Sequence, residues 1–308
     1  MADIIDLSAL PAEYVPPELR ADSYFDFAAH PFAHCGIFAN STSVCDALAR
    51  LPHYARTWLA DAVNGRQKQL RSPRSTPDGT THSGKFKLAI DKAARFRPTR
   101  IIGAESGDPF TVIVEAGAQV MGDLYVDAGS IYIGAGTVIE AGAVVKGPCI
   151  LGSDCEVRSG AYLRATSVFG NACTLRGETK NVVMMDKAAF PHPSYVGDSL
   201  CGYHSHFGNQ ATAANFGIYA GMLSREDRSH ITLRSNGNAY DLGTTKFGVC
   251  LGDFCQVGCN AVTDPGTFLL PRTIVYALAR VSAGVYGPRE VLKNKPLEHG
   301  IIERAELL

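Results

Sequence analysis

VEAGAQ VMGDLY VDAGSI (114–131) sets a beat of six. After one extra residue the beat resumes at Ile133 as IGAGTV IEAGAV VKGPCI LGSDCE VRSGAY LRATSV FGNACT LRGETK, and it returns at Leu251 as LGDFCQ VGCNAV TDPGTF LLPRTI. The first position is apolar in fourteen of these fifteen units, with Thr263 the exception. The fifth is small in fourteen, with Leu124 the exception. A period of six matches neither the 3.6 of an amphipathic helix nor simple strand alternation. It suits short strands joined by tight corners, three strands to a coil. One large residue per unit fills the interior, and a small one beside it lets the backbone turn. Glycines such as Gly134, Gly152 and Gly258 suit such corners. A single coil cannot bury its own inner face, so coils must stack. The expectation is an all-β solenoid of parallel strands.

The beat also accounts for most of the nine cysteines. Cys149, Cys155, Cys173 and Cys255 occupy the small fifth position, where packing explains them. Cys259 sits at a third position and is expected to face outward. No C-x-x-C occurs, and an odd count suits a reducing compartment. No run of eighteen apolar residues is present, and the N-terminal MADIIDLSALPAEY has neither a basic nor an apolar leader region. These features predict a cytoplasmic protein with no membrane span.

A net charge of −1 conceals one basic stretch: residues 65–100 carry ten Lys or Arg against Asp78 and Asp91. Such a stretch can attract nucleic acid or phosphorylated ligands. No aromatic interleaving offers a stacking platform for bases, so a solvated linker is the simpler reading and nucleic-acid binding is not expected.

Residues 1–100 read as a helical region ending in this linker, 101–287 as the solenoid domain, and 288–308 as a helical tail. Within the first, SVCDALARL (43–51) and HYARTWLADAV (53–63) read as two helices separated by Pro52, with Ser43 an N-cap. KFKLAIDKAARF (85–96) reads as a third helix, and EVLKNK after Pro288 as the start of the tail. The beat runs from about Thr111 to Val275, interrupted at Asn181–Ser194 and again at Phe216–Thr245. A loop as long as the second is usually functional or disordered.

ETKNVVMMDKAAFPHPSYVGDSLCGYHSHFGNQATAANFG (178–217) carries a family resemblance. Glu178-x-Lys180, His192-x-x-Tyr195-x-Gly197-Asp198, a glycine-containing turn and Asn215 follow the pattern of one acetyltransferase domain. That domain belongs to the bifunctional enzymes making UDP-N-acetylglucosamine, which are left-handed β-helices of hexapeptide repeats. The resemblance extends through TTKFGVCLGDFCQVGCNAV (244–262) and covers roughly residues 110–285. It supplies the left hand, since a six-residue period alone does not.

The resemblance implies acetyl transfer from acetyl-CoA to the amine of a glucosamine 1-phosphate-like or nucleotide-linked amino sugar. His192 matches the general base. Arg164 and Lys180 match residues holding the sugar phosphate, with help from Tyr195. Asn215 and Lys246 match residues lining the sugar and acetyl group, and Cys259 and Ala277 fall near the acetyl-CoA. A homotrimer is implied, because the family builds its sites between neighbouring solenoids. No metal is needed. The types make chemical sense: a histidine removes the proton that keeps an amine from attacking a thioester, and cations meet a phosphomonoester.

Two departures stand out. His206 replaces an asparagine, and Gly208-Asn209-Gln210 replaces Gly-Ala-Gly, so the acceptor pocket differs from the family's. Nothing in residues 1–100 resembles the family's phosphate loop, so nucleotidyl transfer is not expected. Two other classes compete. His192, His204, His206 and His230 suggest a zinc site like that of γ-type carbonic anhydrases, although the His-x4-His spacing is missing. The two departures would equally suit a catalytically inactive scaffold. Beside these sharp readings stand plain ones: Arg164 and Lys180 as solvated edge charges, His192 as a turn residue, and Cys259 as a small spectator.

Overall fold

The computed structural model describes residues 4–294 and 302–306. The described residues form two compact units, Leu51–Pro193 and Met1–Arg50 with Ser194–Leu308, and each contains stacked coils of parallel strands. Each unit is a parallel β-solenoid, consistent with the expected left-handed β-helix.

In Leu51–Pro193 every coil contributes one short strand to each of three faces. One face stacks 95–96, 119–120, 138–139, 156–157, 174–175 and 189–190 in parallel register. The second stacks 86–90 on 110–114, then 131–133, 149–151, 167–169 and 182–184. The third stacks 81–83 on 100–103, then 123–126, 144–146, 162–164 and 178–180. The first-position residues point inward: Val120, Ile133, Ile139, Val145, Leu151, Val157, Leu163, Phe169 and Leu175 are all fully buried. Burying such a side chain contributes about 1.5–3 kcal/mol, repeated at every corner of the stack. Corners carry positive φ, at Gly117, Gly136, Asp154, Ala172 and Lys187 on successive coils.

Several sequence expectations change here. KFKLAIDKAARF is not a helix. Phe86–Ile90 and Arg95–Phe96 are strands of the first coil, with Phe86 and Leu88 buried and Lys87 exposed between them. The basic stretch is therefore partly solenoid rather than linker. Asn181–Ser194 does not interrupt the coils either. Val182, Val183, Met184, Ala188 and Phe190 are buried and strand pairing continues on both sides of a bulge.

Val44–Asn64 is one α-helix, not two. Pro52 costs it a backbone hydrogen bond, but Val44, Leu48, Leu51, Ala55 and Leu59 form a buried stripe at helical spacing that outweighs the loss. Ser43 caps it as expected, accepting from the Asp46 amide at 3.1 Å.

In the other unit 206–207, 256–257, 274–275 and 291–292 stack on one face. A second stacks 249–251, 267–269 and 284–286, and a third 212–213, 262–263 and 280–281. Thr263, the sequence's exception, still points inward, and its buried hydroxyl has no hydrogen-bond partner. The expected helical tail is a strand: Glu290–Asn294 lies parallel to Ile274–Val275 and antiparallel to Ile302–Glu306. The tail residues between these two strands lie outside the described ones. Before the solenoid, short 3₁₀ turns bury Leu7, Leu19 and Tyr24. Asp253 anchors this arm by accepting from the amides of Asp26 and Tyr203, each at 2.8 Å. The long excursion 216–245 is also structured. Thr232–Ser235 and Asn238–Asp241 form an antiparallel hairpin, and Ile4–Asp6 adds a parallel strand to its edge. No helix among the described residues is long and apolar enough to cross a membrane.

Candidate active site

Arg164 and Lys180 sit opposite each other on neighbouring coils, as direct register partners. Parallel neighbours are about 4.8 Å apart, so two cations occupy one spot on the face. Immediately after them the chain bulges: Ala165 and Asn181 both take φ 55, and the register shifts between Arg164 and Ser167. Bulges of this kind re-aim side chains. Glu178, the acid of the Glu-x-Lys pattern, steadies the pair by accepting from Arg164 Nη2 at 2.6 Å and Nε at 2.7 Å. The Arg164 side chain is about one-third exposed, so solvent reaches it. His192 lies half-buried in the bend after Ala189–Phe190.

A second polar group is built within Ser194–Leu308. Tyr195–Cys201 is a strand, and Asp198 within it adopts φ 48. The Asn215 amide nitrogen donates to Tyr195 Oη at 3.0 Å and to the Asp198 carboxylate. Asn215 and Asp198 are both buried. Gly197 explains its own presence in the pattern, since a Cβ there would overlap Tyr195 Oη and lie 2.6 Å from Cζ and 2.8 Å from Asn215 Nδ2. The Asn215 carbonyl accepts from the Phe247 amide at 3.2 Å, which sets Asn215-Phe216 beside Lys246-Phe247. Lys246 Nζ stands 5.6 Å from the Phe216 ring centroid.

Cys259 and Ala277 come together at a corner on successive coils. The Leu278 amide donates to Cys259 O at 2.9 Å, and a Cβ on Gly258 would lie 2.6 Å from the Ala277 amide. Cys259, Tyr276, Ala277 and Leu278 are all exposed there, giving an apolar step of small and large side chains. His206 begins a strand paired with Gln256.

The histidine arrangement behind the zinc reading does not form. His204 is not on a strand with His206 but at a corner with φ 53, its ring 5.8 Å from that of Phe254. His230 instead faces Asp241, with Nδ1 3.0 Å from each carboxylate oxygen. Among the described residues no group of three or more His, Cys, Asp or Glu side chains is placed to hold a metal ion. Sequence reasoning gave no role to Asp198, Phe216 or Arg228. Asp198 and Phe216 flank residues it did select, whereas nothing in the six-residue beat points to Arg228. A hollow of about 410 Å³ lined by Leu70, Pro73, Phe86 and Pro109 contains none of the expected site residues.

Residues 130–165 match the bacterial transferase hexapeptide (six repeats) family. The chain is 29% identical over 114 residues to a bifunctional sugar-1-phosphate nucleotidylyltransferase/acetyltransferase of Sulfurisphaera tokodaii, covering 37% of this chain and 25% of that protein. It is 29% identical over 120 residues to the bifunctional protein GlmU of Methanococcus vannielii, covering 39% and 27%. The chain thus spans about a quarter of the length of these relatives. The solved polysialic acid O-acetyltransferase OatWY aligns over 71% of this chain and 84% of its own, at 14% identity and a TM-score of 0.26. Repeat and stacked coils define the class as a hexapeptide-repeat β-solenoid, and its sequence is similar to acetyltransferases built on such repeats. The Sulfurisphaera tokodaii relative pairs acetyl transfer with sugar 1-phosphates in its name.

Proposed function

We propose that the protein is an acetyl-CoA-dependent N-acetyltransferase acting on a phosphorylated or nucleotide-linked amino sugar, glucosamine 1-phosphate being the nearest type. The observation that supports it most is the register pairing of Arg164 with Lys180 ahead of a shared bulge. Glu178 engages Arg164 from one side, and an anion bound beside the stacked pair would draw on both cations. A phosphate group is such an anion, with Arg binding it bidentately and Lys as a point charge.

In this reading His192 takes the proton from the acceptor's ammonium. The amine nitrogen attacks the thioester carbon, a tetrahedral intermediate forms, and the CoA thiolate leaves. Tyr195, held by Asn215, helps position the sugar, and His206 and Lys246 line the acceptor side. Asn215 donates its two amide hydrogens to Tyr195 and Asp198, so in this reading it acts by holding Tyr195 in place beside the sugar. The small Cys259 and Ala277 leave a shallow apolar step that suits the pantetheine arm of acetyl-CoA. A cytoplasmic homotrimer, with a place in UDP-N-acetylglucosamine formation, completes the proposal.

The deciding experiment is a panel of amino-sugar phosphates with acetyl-CoA, read by thiol release, on wild-type protein and His192→Ala. Turnover with at least one phosphorylated acceptor is expected, and the variant should lose roughly 10²–10⁴-fold in kcat with substrate binding kept. A variant with near-normal kcat would remove His192 from the mechanism. Absence of both turnover and acetyl-CoA binding in calorimetry would instead favour an inactive scaffold.

A further inference from the structure

Arg228 is the one residue of 221–230 that is not exposed, in a segment otherwise turned to solvent. It folds back over Phe216, its guanidinium carbon 4.7 Å from the ring centroid. Two carbonyls fix it: Nε donates to Ala220 O at 3.0 Å and Nη2 to Leu223 O at 3.3 Å. Nη1 makes no hydrogen bond within the described residues, and no carboxylate pairs with the guanidinium. Neighbouring Asp227 is engaged by the Ser224 hydroxyl at 2.7 Å. Lys246 Nζ approaches the same ring, 5.6 Å from its centroid. Phe216 follows Asn215 directly, so both cations border the polar network already described.

A guanidinium held by carbonyls and an aromatic face is rigid, so little rotamer entropy remains to be lost on binding. Gathering a second cation on the same ring raises the local positive potential, which the ring quadrupole offsets only in part. An arginine serving purely as a brace would need no second cation on its ring.

We propose that Arg228 and Lys246, assembled on Phe216, form a phosphoryl-binding site in which Arg228 Nη1 donates to a phosphate or diphosphate oxygen. Two sources share that chemistry: the diphosphate of a nucleotide-linked acceptor and that of acetyl-CoA. Only the choice between them rests on the acetyl-transfer reading.

The test uses the full-length protein and Arg228→Met, which keeps the stem and removes the charge. Inorganic diphosphate, acetyl-CoA and a nucleotide-linked amino sugar are each titrated by calorimetry. Diphosphate affinity should fall ten- to a hundredfold in the variant, with Arg228→Lys falling less. A matching fall for acetyl-CoA alone assigns the site to the donor, and for the nucleotide-linked sugar alone to the acceptor. Wild-type protein that binds none of the three, or a variant that binds all three unchanged, overturns the proposal. Loss of diphosphate binding in a protein that never transfers acetyl groups would leave the site standing and sink the acetyl-transfer reading. Should Arg228→Met fail to fold, wild-type protein is treated with an arginine-selective dicarbonyl. Diphosphate should protect the peptide containing Arg228, and equal labelling with and without it would also overturn the proposal.

Discussion

Gly197→Ala isolates the packing that orients the polar network. The added methyl would overlap Tyr195 Oη and crowd Asn215 Nδ2 at 2.8 Å. Tyr195 cannot yield by a small torsion, because its ring carbon Cζ would also lie 2.6 Å from the new atom. The ring must therefore swing away, and the 3.0 Å bond from Asn215 goes with it. Overpacking of this kind costs about 1–3 kcal/mol, and a lost net hydrogen bond adds about 1 kcal/mol. The sum should appear as a clear fall in the urea midpoint with an unchanged slope. Activity should fall further than stability accounts for, because the hydroxyl and amide leave their working positions. Gly217→Ala is the control: φ there is −67° and nothing lies within 4 Å of an added Cβ, so it should stay within about 0.5 kcal/mol of wild type. Gly197→Ala with wild-type stability, or a crystal structure of it with the Tyr195–Asn215 bond intact, would refute the reasoning.

Arg164→Ala and Lys180→Ala should each weaken the phosphorylated acceptor by ten- to a hundredfold, about 1.5–3 kcal/mol, while acetyl-CoA binds as before. Normal acceptor affinity in both calorimetric titrations would place the phosphate elsewhere. Native protein should react rapidly with a thiol reagent at Cys35 and Cys259, the two exposed thiols, and with the rest only on unfolding. Burial holds Cys255 up at about 12 and raises Cys45, Cys149 and Cys201 as well, so their thiolates are scarce at neutral pH. Fast labelling of Cys255 would contradict the coil packing. Asp253→Asn puts an amide NH₂ against one of the two backbone N–H groups that Asp253 now serves. It should free the arm around Asp26 at a cost of about 1–3 kcal/mol, seen as early proteolysis in residues 20–40.

The inner positions of the solenoid were legible because one physical demand repeats: an apolar side chain inward, a small one beside it. The same demand was present where the reading stopped. IDKAAR (90–95) follows the template of VEAGAQ, with Ala94 small, and Ile90 and Phe96 pair with Val114 and Val120. MMDKAA and FPHPSY continue it from Met184, with Ala188 and Ser194 at the fifth position. Lysines and arginines at solvent-facing positions obscured the first, and prolines the second, although neither position constrains the interior. EVLKN failed differently. Its glutamate, leucine and lysine favour helix, yet the exposed edge at Ile274–Val275 offers a ladder of backbone partners, and that tertiary pairing wins. The site divides along the same line. Arg164 and Lys180 lie on coils whose register the beat fixes, so their spacing in sequence makes them register partners, and Tyr195 and Asn215 meet within their own unit. Arg228 and the partnership of Ile4–Asp6 with the hairpin obey no period. They depend on an excursion folding back on itself and on contacts between distant parts of the chain. A rule about inward and outward positions along a coil has nothing to say about either.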